Sequence, residues 1–334
     1  MNDFSSAKTR QLWRLLLLIS PCVALIWSLS SGSLDLSWKQ FFVLLLHGPG
    51  TGLQQTIIWQ IRLPRALLAG LVGAALSLSG TTFQAVLRNP LADPYLLGVS
   101  GGAALGAVIA LTFGFSSTYI LPLAAFLGAL AALALVYLVA RAHTCSSSTL
   151  ILAGVMVGSL AAALLLFLLW RAPSDATRQA VFWLAGNLSL ADPQWLSWSW
   201  VWVGCGFLLL WLQAPQLDLL TQGDETAEDL GLNVGRTRLI LFALAGALTA
   251  CAVALAGLVG FVGLVIPHIC RLLWGPGHRL LIPLSALFGG SFLMIADALA
   301  RSFYAPAEIP VGVVTALLGA PFFLYLLRRK GSGL

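Results

Sequence analysis

One carboxylate lies well inside an apolar stretch of the sequence, and it is the first candidate for chemistry. Asp297 is the single charged residue between Phe292 and Ala300. An acid in a membrane-spanning segment can carry protons or hold an ion. Arg301, however, follows four residues later, on the same face of a helix. The spacing therefore favours a structural ion pair, Asp297–Arg301, near the end of a helix.

Motifs for other kinds of catalysis are missing from the sequence. It contains no HExxH, no GxSxG and no Walker A sequence, so metalloprotease, serine-hydrolase and P-loop nucleotide chemistry have no residues to use. The four histidines are scattered without the spacing of metal ligands. We therefore predict that this chain is not an enzyme and has no catalytic residue, no metal site and no bound cofactor.

The shortage of intramembrane charge also bears on how transport would be driven. A proton- or sodium-coupled carrier usually places several ionisable groups in its spans, and Asp297 is the only acid well inside an apolar stretch. An apolar, Gly- and Ala-rich pathway without its own energy source points to a subunit driven by another protein. Two alternatives stay open: a membrane-embedded enzyme acting on lipid or prenyl substrates, and an ion-coupled carrier working alone.

The elements that position these residues are apolar stretches of about 20 residues, the length that crosses a bilayer as a helix. Of the 334 residues, 59% are hydrophobic and only 9% are charged, so we predict an all-α polytopic membrane protein. Its ten predicted spans are 12–31, 64–84, 94–113, 119–140, 149–170, 194–212, 239–256, 258–273, 280–300 and 309–327. The eighth is Gly-rich and interrupted by Pro267, so we expect it in the protein interior.

The basic residues set the orientation. With both termini in the cytoplasm, twelve of the 18 Lys and Arg residues lie inside and six outside, as the positive-inside rule requires. The same rule explains the net charge of +6 without a nucleic-acid partner. Three loops are too long to be simple turns: 32–63 and 171–193 outside, and 213–238 inside. We expect a short helix at Ala176–Leu184 in the second of these loops.

Four sequence blocks occur in order at plausible spacing. They are QIRLPR (Gln60–Arg65), NPLADP (Asn89–Pro94), GLVIPH (Gly263–His268) and EIPVG (Glu308–Gly312). With their surroundings, residues 57–327 strongly resemble the FecCD family, the membrane-spanning subunits of bacterial ABC importers for cobalamin, ferric siderophores and haem. Among these members, the chain looks most like a haem permease.

The resemblance implies a single permease domain over residues 1–334, with the type II ABC importer fold of the cobalamin permeases. Residues 1–56 would form the first span and a periplasmic loop, 57–327 the core, and 213–238 a cytoplasmic coupling loop. It also implies a homodimer in the bacterial inner membrane, two ATP-binding cassette subunits that hold ATP and Mg²⁺, and a periplasmic substrate-binding protein. The transported cargo would be haem or a related iron chelate.

Residue roles follow from the same resemblance. Arg62, Arg65 and Arg301 resemble the outward arginines that receive acidic residues of the binding protein, a role suited to the rigid multi-donor fork of a guanidinium group. The alternative is that they are ordinary residues whose charged ends reach the membrane interface.

The inside loop around Glu225 to Arg238 resembles the paired coupling helices that fit a cleft on the ATPase, with Gly231 at the turn between them; the alternative is a plain solvated loop. The predicted coupling residues are Asp224, Glu225, Glu228, Asp229, Gly231 and Arg236.

Leu91, Ser146 and Ser147 resemble the cytoplasmic constriction of the family. A ring of one apolar and several small hydroxyl side chains can close a passage without binding the cargo. The serines could also cap the fifth span, and both roles can hold together. No cluster of His, Met, Tyr or Cys stands out as an axial ligand for haem iron, which suits a pathway that must release its cargo.

Overall fold

The computed structural model describes residues 7–32, 37–115, 117–141, 146–189 and 193–331. Within these ranges the chain forms fourteen helices and a 3₁₀ turn at Pro94–Leu97, and it has no strand. In chain order the helices are α1 (Ala7–Ser30), α2 (Trp38–His47), α3 (Leu53–Val86), α4 (Val99–Thr112), α5 (Ile120–Arg141), α6 (Ser147–Arg171), α7 (Ser174–Leu184), α8 (Pro193–Leu212), α9 (Ala214–Thr221), α10 (Asp224–Asp229), α11 (Val234–Ala256), α12 (Val262–Trp274), α13 (His278–Ser302) and α14 (Val311–Gly331).

Ten of these helices coincide with the ten predicted spans. Helices α3, α5, α6, α8, α11 and α13 are long and apolar enough to cross a membrane, and shorter apolar helices lie within α1, α4, α12 and α14. The prediction of an all-α protein with ten spans is therefore confirmed. An even number of crossings places both termini on one side, which the Lys and Arg distribution identifies as the cytoplasm.

The outer segment 32–63 is far more helical than a loop. Helix α2 lies within it, and α3 begins at Leu53, well before the predicted start of its span at 64. The predicted start coincides with Pro64, which cannot donate a helical hydrogen bond. A π-helical turn at Ile57–Arg62 ends two residues before the proline. The Leu63 N–H that follows it bonds to the Ile58 carbonyl, so the helix runs through. The expected division at residue 57 falls inside α3.

The eighth span lies in the interior, as predicted, but its helix is not broken. Helix α12 includes Pro267, and Val262 to His268 are all buried. The irregular backbone comes just before it, where Phe261 has a left-handed φ of +69°. The structure also has a helix in the second outer loop, α7, which covers the predicted Ala176–Leu184.

Helix α3 is the centre of the molecule. Its most apolar window is 89% buried, and it packs against α8, α11, α12 and α13. A helix that is apolar on all sides belongs in such a position. Because it runs from the outer end to the cytoplasmic end, α3 carries Arg62 and Arg65 at one end and leads to Arg88 and Leu91 at the other.

Glycines let the neighbouring helices approach α3 backbone to backbone. A Cβ atom on Gly73 would collide with the Gly289 carbonyl of α13, and one on Gly80 with the Gly263 carbonyl of α12. Small residues at such contacts are the usual device of membrane helices, which have no hydrophobic driving force between them.

This contact makes a testable prediction about stability. We expect Gly80→Ala to lower the free energy of unfolding by about 1–3 kcal/mol, because the new methyl group overpacks a backbone contact that cannot yield without moving a helix. Thermal unfolding of the purified protein in mild detergent measures the loss. The matched control is Gly204→Ala on α8, where an added Cβ meets nothing within 4 Å. An equal loss in both variants would contradict the prediction.

Candidate functional site

Three charged side chains meet at the outer end of the molecule. The Arg65 guanidinium donates to both oxygens of Asp297, with Nε–Oδ1 at 3.0 Å and Nε–Oδ2 at 3.2 Å, and its Nη2 lies 2.9 Å from Oδ1. Its Nη1 donates to both oxygens of Glu308, at 3.1 and 2.9 Å. One arginine on α3 is thereby tied to a carboxylate on α13 and to another just before α14.

A second arginine shares the buried carboxylate. Arg301 Nε lies 3.0 Å from Asp297 Oδ2, so the ion pair expected from their spacing is present in the structure. Asp297 is completely buried, and a lone carboxylate there would be very costly. Two guanidinium groups bound to the same carboxylate supply the compensating charge. We call Arg65, Asp297, Arg301 and Glu308 the charged cluster.

Two arginines at this end of the molecule, Arg62 and Arg301, cap α1. Arg301 Nη2 donates to the Ser28 carbonyl at 2.9 Å, and Arg62 Nη1 donates to the Leu29 carbonyl at 2.8 Å. The last carbonyls of a helix have no partner within it and carry partial negative charge. Basic side chains from α3 and α13 satisfy those of α1, so the cluster joins the outer ends of several helices.

The burial of the arginines bears on their expected docking role. Arg62, Arg65 and Arg301 are only 4–7% exposed, and each is engaged within the chain. Glu308 is the exposed member of the charged cluster, with 45% of its side chain accessible. Glu308 belongs to the EIPVG motif, but the sequence pattern does not predict that it joins the site. Binding-protein docking through the three arginines stays a prediction.

At the cytoplasmic end, the segment 213–238 contains two short helices, α9 and α10. We call these two helices the platform. Its inner face is anchored by Leu217, Leu220 and Ala227, all essentially buried. The turn between α9 and α10 is at Gly223, with φ +120°, ahead of the stretch Glu225–Arg238 in which we predict a turn at Gly231. Gly231, with φ +85°, instead ends α10 before the chain enters α11. Both glycines adopt positive φ, so their residue type alone does not tell the two turns apart.

Some charged residues of the platform form ion pairs within the chain, and others are exposed on its surface. Asp224 lies 2.7 Å from Arg238 and 3.5 Å from Arg88, and Asp218 Oδ1 lies 2.6 Å from His278 Nδ1. These contacts fix the platform to α11, to the end of α3 and to the start of α13. The other predicted coupling residues are exposed: Glu225, Glu228, Asp229 and Arg236. Beside them, Leu230 is 61% exposed, an apolar group within a charged surface.

The three predicted gate residues also lie at the cytoplasmic end. Leu91 is exposed, while the Ser146 hydroxyl accepts from the Thr149 N–H and so caps α6. The Ser147 hydroxyl donates to the Val86 carbonyl at 3.1 Å and ties α6 to the end of α3. The capping role of Ser146 is therefore present, and the gate role stays a prediction.

Comparison with known proteins decides the family. The model of the FecCD transport family matches residues 17–329, nearly the whole chain.

The chain belongs to the FecCD transport family.

Curated relatives of this FecCD chain include permeases of different systems. It is 45% identical to the cobalamin import system permease BtuC of Halobacterium salinarum over 276 residues, covering 83% of this chain and 74% of the relative. It is 40% identical to the hemin transport system permease HmuU of Yersinia pestis, covering 94% of each chain. The FecCD chain is therefore a multi-pass membrane permease of the ABC importer type.

A solved structure agrees with the fold. An ABC transporter of the metal-chelate type, in an inward-facing conformation, superposes on this FecCD chain with a TM-score of 0.83 at 35% identity. The match covers 94% of this chain and 97% of the solved one. Within the described residues, no group of three or more His, Cys, Asp or Glu side chains could hold a metal ion.

Proposed function

We propose that the chain is the transmembrane subunit of an ATP-driven importer in the bacterial inner membrane. Two copies would form the pathway, two ATPase subunits would bind the platforms, and a periplasmic binding protein would deliver cargo to the outer face. The observation that carries the proposal is the platform of this FecCD-family chain. It is anchored by buried residues and internal ion pairs, yet it presents Glu225, Glu228 and Asp229 to a partner.

The chain itself would perform no covalent chemistry. ATP and Mg²⁺ would bind to the partner ATPase, whose movements reach the spans through the platform ties Asp224–Arg238 and Asp218–His278. The first of these ties leads to α11 and the second to α13, which both pack on α3. Movement of the platform would thereby open the pathway alternately to the two sides of the membrane.

The proposed cargo is a bulky metal chelate, with haem first and a ferric siderophore or cobalamin as the alternative. A haem permease is 40% identical to this chain and a cobalamin permease 45%, so the family allows both. Purification of the cognate binding protein with its ligand distinguishes them. A Soret band in its visible spectrum supports haem, and a corrinoid spectrum supports cobalamin. A ligand without a metal would contradict the proposal.

Reconstitution tests the energy source. In liposomes, the chain with its cognate ATPase and binding protein should take up the chelate when ATP and Mg²⁺ are supplied. The chain without the ATPase should take up none, whatever proton or sodium gradient is imposed, since its spans hold few ionisable groups. Uptake driven by an ion gradient in the absence of the ATPase would instead identify an ion-coupled carrier.

A further inference from the structure

Glu308 is the exposed one of the two carboxylates that bind Arg65. Asp297, bound to Nε and Nη2, is completely buried, whereas Glu308, bound to Nη1, has 45% of its side chain exposed. A cavity of about 190 Å³ adjoins the pair, and both Arg65 and Glu308 line it. Asn187 and Val311, the first residue of α14, are among the other residues that line it. A side chain entering from the periplasm would meet Glu308 before it met the arginine.

The two carboxylates differ in how easily they could be replaced. Asp297 also binds Arg301, so its departure would leave two buried guanidinium groups without a counter-charge. Glu308 binds Arg65 alone among the charged groups of the described chain. If another carboxylate took its place on Nη1, the number of ion pairs would stay the same, and the released Glu308 would gain water.

We propose that Glu308 is an internal stand-in for a carboxylate of the periplasmic binding protein. It covers Arg65 while the chain is alone and gives way when an acidic side chain of the partner enters the cavity. This inference rests on the proposed function and adds a competitor to the docking site. It also couples docking of the binding protein to the spans α13 and α14. Glu308 lies in the connection between these helices, only three residues before α14 begins.

The exchange predicts that removal of Glu308 strengthens binding. The apparent affinity of a site is reduced by the fraction of time that the site is open, so a stand-in that covers Arg65 nine-tenths of the time weakens binding about tenfold. We therefore expect Glu308→Ala, in the full complex with its ATPase, to bind the cognate binding protein about tenfold more tightly, with Glu308→Gln in the same direction.

The control is Asp175→Asn, which removes an exposed acid of the outer helix α7 whose ion-pair partner is Arg178. This variant should keep the wild-type affinity. A second readout needs no partner: p-hydroxyphenylglyoxal, which modifies accessible guanidinium groups, should label Arg65 faster in Glu308→Ala than in the wild type or in Asp175→Asn. Peptide mapping by mass spectrometry measures the labelling.

The outcomes separate the inference from the function on which it rests. If the wild-type complex does not bind the binding protein at all, the proposed function is wrong, and the stand-in is wrong with it. If the wild type binds but Glu308→Ala binds no more tightly than Asp175→Asn, only the stand-in is wrong. Equal labelling of Arg65 in all three proteins would likewise overturn it.

Discussion

Replacement of Asp297 by alanine is expected to destabilise the folded chain by about 3–5 kcal/mol, the usual cost of removing one partner from a buried ion pair. Arg65 and Arg301 would both lose their shared carboxylate while they remain almost completely buried. Denaturant or thermal unfolding of the purified protein in mild detergent measures this loss. The yield of folded protein in the membrane should fall with it.

Another acid on the outer side provides the control. Asp175 pairs with Arg178 at 3.4 Å, but both side chains are largely exposed. Exposed pairs contribute about 0–1 kcal/mol, so Asp175→Ala should leave the unfolding transition nearly unchanged. If the two alanine variants unfold alike, the charged cluster does not support the outer end of the molecule in the way we describe.

Reversal of the three exposed acids of the platform, Glu225, Glu228 and Asp229, to lysine is expected to abolish ATP-driven uptake. These residues make no ion pair among the described residues, so their reversal should leave the fold intact. It should repel the ATPase surface that we propose to bind these negative charges. Retention of the ATPase during purification should fall at least about tenfold, which corresponds to about 1.4 kcal/mol.

Two further variants distinguish the loss of ATPase docking from a change of charge elsewhere and from a loss of stability. Arg141→Glu changes an exposed charge at the cytoplasmic end of α5, outside the platform, and should retain the ATPase. Asp224→Ala should instead lower stability, since Asp224 binds Arg238 within the chain. A triple lysine variant that copurifies with the ATPase and transports normally would show that the platform is not the docking surface.

The spans were predictable from sequence because backbone groups in a bilayer must bond within their own segment, which makes long apolar stretches helical. The Asp297–Arg301 pair was predictable for a similar reason, since four-residue spacing is a local property of a helix. Arg65 and Asp297 are 232 residues apart, and no local pattern joins them. The ion pair of Arg65 with Asp297 depends on how α3 packs against α13. The lengths of the apolar stretches alone do not determine that packing.

The platform likewise has features that the sequence predicts and features that it does not. Its helical character and its exposed acids followed from composition, but the position of its turn did not. Gly223 and Gly231 both suit a helix end, so the residue type alone does not show which glycine separates α9 from α10. The sequence signal for a separate helix before Gly223 is Pro215. It lies in the first turn of α9, a position that proline favours and that marks the start of a helix.

The capping of α1 has a consequence for how the chain is made. At the outer end of α1, the Ser28 carbonyl is capped by Arg301, which lies 273 residues further along the chain. At a synthesis rate of about 5–20 residues per second, the ribosome needs roughly 14–55 seconds to cover that distance. Arg62 can cap the Leu29 carbonyl long before that, since it lies only 33 residues further along. The Ser28 carbonyl depends on water at the membrane interface until the ninth span brings Arg301 to it.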